Sequence, residues 1–183
     1  MTNYGWPAFS LNGNWFDVPP VFTTIALAHE HGCGLTGDGA IVCWGPPALD
    51  VVKSAPVGRY VAISSGRFFS CAVQADTRNP TCWGINDYFP MQAKRLEFVA
   101  LASSDDAGIT CGVRVDGRVY CGGVSSAYPG PPDPALRFVE LTVGHEHVCA
   151  ATTTGRVMCW TSLSGSAGAK LTAVPDGLML RAR

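Results

Sequence analysis

One stretch recurs four times along this chain, and each copy is bounded by two cysteines. Every copy has a short apolar run, a polar turn and a second apolar run, which predicts two antiparallel strands joined by a tight turn. The copies span residues 33–45, 71–84, 111–122 and 149–160, and together they contain all eight cysteines. Their first cysteines lie 38, 40 and 38 residues apart. A period of this length, built on strands, predicts a propeller or solenoid rather than one irregular core.

Each hairpin is preceded by a strand that begins with an aromatic residue: Phe22, Tyr60, Phe98 or Phe138. Strict alternation would place the aromatic on the same face as the residue two positions later. We therefore expect three to four short strands per repeat and no convincing helix, since the only helix-like segment, 93–96, is very short. The expected units are an N-terminal strand segment, 1–20, which completes a blade or contacts a neighbour, and four repeats at about 21–58, 59–96, 97–136 and 137–183.

The cysteines allow three interpretations. In each hairpin the two cysteines can lie opposite each other across the strands, at a Cα separation within disulfide range. This favours four disulfides: Cys33–Cys43, Cys71–Cys82, Cys111–Cys121 and Cys149–Cys159. Reduced cysteines packed as small apolar side chains remain an alternative, and so do metal thiolates, although the CxxC spacing typical of zinc sites is absent. Disulfides persist outside the reducing cytosol, so the first interpretation implies an extracellular or cell-surface location.

Tryptophan and histidine supply the remaining candidate site residues. Trp44, Trp83 and Trp160 each follow the second cysteine of a hairpin, so we expect them to pack between blades. The motif His-Glu-His precedes two hairpins, and residues i and i+2 of a strand share a face. His29, His31, His145 and His147 are therefore candidates for metal ligands. The alternative is that His31 and His147 supply a hydrogen-bonding side chain that the turn requires.

Composition and motifs exclude several classes of function. The 183 residues are 47% hydrophobic and 15% charged, with a net charge of −1, which argues against a nucleic-acid partner. The apolar runs are too short to span a bilayer. There is no GxSxG, HExxH or phosphate-loop motif, so we expect neither an enzyme nor a cofactor. Residues 1–20 also lack the features of a secretory signal, which favours a piece of a longer secreted protein.

The repeat resembles that of the regulator of chromosome condensation family, in its short, cysteine-paired form. That form is found in bacterial proteins and in the ectodomains of crinkly-type plant receptor kinases. The first repeat carries the pattern best, with His31, Cys33, Leu35, Asp38, Gly39, Val42, Cys43, Trp44 and Gly45. The resemblance covers roughly residues 20–180 and implies an all-β propeller, typically of seven blades. Four repeats would then form a small propeller, a partial one, or one completed by another molecule.

These observations predict a non-enzymatic structural or interaction module. The segment 1–20 reads as the tail of one repeat and the segment 174–180 as the start of another, so the chain is out of phase with its repeats. We expect an assembly edge at Trp6, Trp15, Val174, Leu178 and Leu180, where copies join head-to-tail into a fibre or ring by strand addition. The alternative is a monomeric secreted or ectodomain propeller that binds a protein or another ligand on its loop face.

Overall fold

The computed structural model describes residues 10–11, 14–15, 21–85, 93–104, 108–123, 130–131, 133–145 and 147–161. Within them the chain forms a two-stranded hairpin and four three-stranded antiparallel sheets. The hairpin consists of β1 (Ser10–Leu11) and β2 (Asn14–Trp15). Each sheet is a meander with its strands in chain order, and it is called a blade from here on. The expected all-β array of four blades is thus confirmed.

The blades have closely similar boundaries. Blade 1 contains β3 (Phe22–Leu27), β4 (Gly32–Thr36) and β5 (Ile41–Trp44); blade 2 contains β6 (Tyr60–Ser65), β7 (Phe69–Gln74) and β8 (Pro80–Gly84); blade 3 contains β9 (Phe98–Ser103), β10 (Ile109–Arg114) and β11 (Val119–Gly123); blade 4 contains β12 (Phe138–Val143), β13 (His147–Thr152) and β14 (Val157–Thr161). The first strand of each blade is its lead strand.

The turn between the second and third strands links each blade to the next. In blade 1 this turn contains Gly39, whose φ of 84° suits glycine. The Gly39 carbonyl accepts a hydrogen bond of 2.8 Å from the amide of Tyr60, the first residue of the next lead strand. Blade 2 has one extra residue in this turn, and Arg78 occupies the equivalent position with a φ of 60°. Its carbonyl accepts the same 2.8 Å bond from Phe98. A backbone contact therefore sets the start of the next blade even where glycine is replaced.

Each lead strand contains a β-bulge just after its aromatic residue. In blade 2 the pairing with β7 shifts between Tyr60 and Ala62, which leaves Val61 as the extra residue. Tyr60 and Ile63 are consequently the buried pair, and Val61 is exposed. The expectation that the aromatic shares its face with the residue two positions later is wrong, because the bulge moves the partner to the third position. The pairing skips the equivalent residue in all four blades.

Three apolar clusters form the core, one at each seam between consecutive blades. Each seam joins two faces. The back face of the earlier blade carries its two cysteines, and the front face of the later blade carries the lead-strand aromatic and the residue three positions on. At the first seam, Cys33 and Leu35 of blade 1 contact a cluster that includes Tyr60 and Ile63 of blade 2. The other two seams repeat this arrangement. The core is thus divided into like units that hold neighbouring blades together.

A short helix that the sequence analysis did not expect supports the first seam. Helix α1 (Asp50–Lys53) lies in the loop between blades 1 and 2 and buries Val51. Its backbone is anchored from the next blade, because the Trp83 indole N–H donates a 2.9 Å hydrogen bond to the Val51 carbonyl. So short a helix is unstable alone, and these tertiary contacts explain why local sequence did not reveal it. The helix-like segment near residue 93 forms a single 3₁₀ turn, Ala93–Arg95.

The four described blades form an open arc. The lead strands of consecutive blades pack together, whereas β5, β8, β11 and β14 make no comparable contact with one another in the described chain, so the sheets fan outwards from their lead strands. Substantial packing between the described blades occurs only between consecutive ones, and β3 and β12 do not form a fourth seam. Blade 1 therefore presents a front face, and blade 4 a back face, that no described blade covers.

The bulge makes a prediction about stability. Leu101 is buried in the second seam, and Val99, the bulge residue of the same strand, is exposed. We expect Leu101→Ala to lower the free energy of unfolding by about 2–5 kcal/mol, because it removes buried methyl groups and leaves a cavity. Val99→Ala should change it by no more than about 0.5 kcal/mol. Urea unfolding with the disulfides intact measures both changes, and equal losses would contradict this assignment of faces.

Candidate interaction surfaces

All eight cysteines are paired in the structure, which leaves no free thiol. The bonds join Cys33 to Cys43, Cys71 to Cys82, Cys111 to Cys121 and Cys149 to Cys159, with S–S distances of 2.06–2.09 Å and a Cα separation of 4.0 Å in each. In every blade the two cysteines are directly opposed across the second and third strands. Each disulfide therefore fixes the back face of its own blade.

Three of the four disulfides are covered by the next blade. Cys33, Cys71 and Cys111 are fully buried, and the hydroxyl oxygen of Ser70 in blade 2 lies 3.6 Å from the Cys33 sulfur. In the next seam the Thr110 hydroxyl lies 4.0 Å from the Cys71 sulfur. Cys149 of blade 4 is only partly buried. The sulfur atoms of blades 1 to 3 thus take part in the three seams. No described blade follows blade 4, so its disulfide lies outside them.

The three tryptophans lie on front faces. Trp83 packs in the seam between blades 1 and 2, and Trp160, which is fully buried, packs in the seam between blades 3 and 4. The Trp160 ring lies 5.9 Å from that of Phe138. Trp44 occupies the same position in blade 1, with its ring 5.4 Å from Phe22, and remains partly exposed. This difference follows from position, since no described blade precedes blade 1.

The His-Glu-His segments do not present paired ligands. His29 is exposed in the turn before β4, whereas His31 is buried and its Nε2 lies 2.9 Å from the Ser70 hydroxyl oxygen across the first seam. His145 and His147 are both exposed in blade 4, which does not meet blade 1. No group of three or more potential metal ligands occurs within the described part of the chain. The structure thus places His31 in a hydrogen bond between blades.

Sequence reasoning missed a set of buried hydroxyl groups at the seams. In blade 2, Ser65 and Ser70 face each other across the first hairpin at 2.9 Å, and Ser70 also meets His31. In the second seam, Ser64 donates a 2.7 Å hydrogen bond to Ser103 of blade 3, and Ser103 lies 3.0 Å from Thr110. These groups fix how one blade sits on the next. The only sequence signal is the recurrence of small hydroxyl residues around these hairpins.

Two shallow grooves lie beside turns that contain an aspartate. One, of about 520 Å³, is lined by Arg59, Tyr60 and Asp76 among others, and the second, of about 370 Å³, lies between blades 3 and 4. In the second groove Arg114 pairs with Asp116 at 3.3 Å, and the Arg137 guanidinium donates to three nearby backbone carbonyls. The Asp116 carboxylate offsets the charge of Arg114, and the contacts of Arg137 hold its side chain against its own loop.

Two ionisable groups near the first seam, Asp38 and Tyr60, have shifted pKa values with structural causes. The hydroxyl of Thr36 donates to the Asp38 carboxylate and, with the Ala40 amide, holds the pKa of Asp38 below its usual value. Burial in the first seam raises the pKa of Tyr60, and the nearby Asp76 carboxylate raises it further. Neither shift suits a group for acid–base catalysis near neutral pH.

The end blades expose residues that interior blades bury. Ile25 on the front face of blade 1 is 56% exposed, whereas its equivalents Ile63, Leu101 and Leu141 are 7–8% exposed. Leu27 on the same strand is 67% exposed. The difference arises because each equivalent residue is covered by the back face of the preceding blade. An exposed apolar face of this kind is typical of a protein–protein contact.

The remaining expected assembly residues lie outside what the structure describes. Trp6, Val174, Leu178 and Leu180 fall outside the described residues, and of Trp15 only the backbone in β2 is described. Among the described residues, no helix has the length and apolar character needed to cross a bilayer.

The fold is that of a β-propeller. No protein-family model matches the chain. Among solved structures, the CRINKLY WD40 ectodomain of the Arabidopsis thaliana receptor kinase ACR4 is 21% identical, with a TM-score of 0.63 over 81% of this chain and 53% of that one. The entire ectodomain of the Physcomitrella patens receptor kinase CR4 is 24% identical, with a TM-score of 0.63 over 79% and 40%. Yeast RCC1 (Prp20) bound to Kap60 is 15% identical, with a TM-score of 0.57 over 80% and 45%. The chain thus spans about half the length of these structures.

Ser70 provides a test of the buried polar contacts. We expect Ser70→Ala to lower the free energy of unfolding by about 1–3 kcal/mol, because the buried imidazole of His31 and the hydroxyl of Ser65 both lose a hydrogen-bonding partner. Ser54→Ala is the matched control: its hydroxyl donates a 2.7 Å bond to the Asp50 carbonyl, but it is exposed, so the change should be within about 0.5 kcal/mol. Thermal unfolding compares the two, and equal effects would argue against a structural role for the buried group.

Proposed function

We propose that this chain is a non-enzymatic, extracellular or cell-surface propeller module of the regulator of chromosome condensation type. It acts by protein–protein contact, and its partner is another copy of itself, joined head-to-tail in a fibre or ring. In this proposal residues 21–58, 59–96, 97–136 and 137–183 are the repeats, and the segments that contain Trp6, Trp15, Val174, Leu178 and Leu180 contribute at the junction. The open arc of four blades is the observation that carries it, because both ends need a cover.

Two observations support an extracellular location. Every blade contains a disulfide, and disulfides of this kind form and persist in oxidising compartments. Two of the similar solved structures are receptor-kinase ectodomains. The family assignment rests on the repeated motif together with the propeller fold, which yeast RCC1 (Prp20) also has.

The chemistry of the described residues favours contact over catalysis. The serine–histidine pair formed by Ser70 and His31 is buried between blades, where no substrate reaches the hydroxyl. The grooves at the turns contain arginines that are already bonded to neighbouring groups. The features that recur from blade to blade are disulfides, aromatic lead residues and seam contacts, all of which shape surfaces.

A second candidate function follows from the likeness to receptor ectodomains. In it the chain forms part of a monomeric secreted or ectodomain propeller that binds a protein or another ligand on its loop face. The exposed turns of the described blades, with the two grooves beside them, would form that surface. A strictly monomeric chain in solution would favour this candidate over self-assembly.

Mass and assembly state test the proposal together. We expect native mass spectrometry and light scattering to detect multiples of the 19.3 kDa chain. Denatured but unreduced protein should weigh about 8 Da less than the reduced chain, because each of four disulfides removes two hydrogens. A full set of free thiols in protein purified without oxidation would contradict the extracellular assignment, and a monomer at every concentration would contradict self-assembly.

A further inference from the structure

Among the described blades, both halves of a seam are left without a covering blade, one at each end of the arc. Blade 1 exposes Ile25 and Leu27 on its front face. Cys149 on the back face of blade 4 is partly exposed, whereas its counterparts Cys33, Cys71 and Cys111 are fully buried. Each of the three interior seams joins the back face of one blade to the front face of the next.

We infer that the front face of blade 1 docks on the back face of blade 4 of a second copy of this chain, and forms between molecules the seam that joins blades within one. This rests on the proposed self-assembly and deepens it, because it names the packed blade faces as the contact to which the terminal segments add. The occupant is a second copy because one molecule carries both complementary surfaces.

The side chains of the two faces match those of the interior seams. On the front face, Phe22 and Ile25 stand where blade 2 has Tyr60 and Ile63. Leu27 and Gly32 face each other across the first hairpin of blade 1, where blade 4 has Val143 and Val148. The seam between blades 3 and 4 therefore contains an apolar pair at this position. The ring of Trp44 fills the space that a side chain at Gly32 would occupy.

The back face of blade 4 is likewise built from residue types that seams accept. Thr142 is exposed and stands where blade 2 has Ser64, which is buried and bonded across the second seam. His147 is exposed and stands where blade 1 has His31, which is buried in the first seam. Thr142 and His147 therefore resemble in chemistry the residues that interior seams bury, although both are exposed here.

Glu140 is a charged departure from the interior seams, and it gives the inference a distinctive signature. It is exposed and stands where blades 2 and 3 have Ala62 and Ala100, which remain partly exposed even inside a seam. A carboxylate at this rim can keep contact with water, but it adds a desolvation cost to docking. Replacing it with the alanine of the interior blades should therefore strengthen the contact.

Two blocking variants test the faces separately. Ile25→Lys places a charge on the front face of blade 1, and Thr142→Lys places one on the back face of blade 4. Both positions are exposed in the described structure, so neither variant should unfold the monomer. Each should weaken self-association about 100-fold or more in sedimentation velocity, since a lysine would be buried without a partner in a packed contact. Val61→Lys is the matched control, at an exposed lead-strand position in an interior blade, and it should assemble as the unmodified chain does.

Mixing the variants shows whether the contact joins two different faces. Neither variant can assemble alone, but the mixture retains one intact front face and one intact back face, so it should form a 1:1 pair and nothing larger. Formation of that pair also shows that both variants are folded. Glu140→Ala should associate about 3- to 10-fold more tightly than the unmodified chain, as the interior blades tolerate alanine there.

The outcomes separate this inference from the proposed function. If the unmodified chain assembles and neither blocking variant weakens it, the faces are not the contact and the inference is wrong, while self-assembly stands. If neither variant self-associates and their mixture also forms no 1:1 pair, the contact does not join a front face to a back face, and the inference is wrong. A chain that is monomeric at every concentration overturns the inference and the proposed self-assembly together.

Discussion

The seam between consecutive blades is the contact on which the described structure depends. Each sheet has only three strands, too few to enclose a core of its own, so its two faces are buried by its neighbours. The disulfide contributes at most about 2–3 kcal/mol per blade, because the loop that it closes is short. Its larger structural effect is to hold the second and third strands in register and so present a fixed back face to the lead strand of the next blade. Stability is therefore shared among seams, as in other repeat proteins.

The features that recur in every repeat were predictable from sequence. The period, the opposed cysteines and the aromatic residues that open the lead strands each appear four times, so chance matches are excluded by repetition. The lead strands begin at the aromatic residues that the sequence indicated: Phe22, Tyr60, Phe98 and Phe138. Period, cysteine spacing and turn residues are local properties, and they determine a blade.

The features that depend on contact between blades were not predictable. The bulge after Tyr60 changes which residue is buried, and nothing in the residues around Val61 distinguishes a bulged strand from a regular one. Helix α1 forms because Val51 is buried beside Trp83 of the next blade. The hydrogen bond between His31 and Ser70 joins residues 39 positions apart. Each case requires knowing how two blades meet, which the pattern within one repeat does not contain.

The size of the uncovered faces limits how an assembly of this chain can form. Ile25 and Leu27 are about half to two thirds exposed, so burying both contributes roughly 2–4 kcal/mol, at about 1.5–3 kcal/mol for a fully buried side chain. A dissociation constant of 1 μM requires about 8 kcal/mol. One seam built on these two residues alone would be weak, so Phe22, Trp44 and the backbone contacts seen at interior seams would have to supply the rest. In a closed ring of two copies, two seams form for one loss of translational freedom, and the second forms at a high effective concentration. Ring closure, where the curvature of the arc allows it, would therefore stabilise the assembly more than the addition of copies to an open fibre.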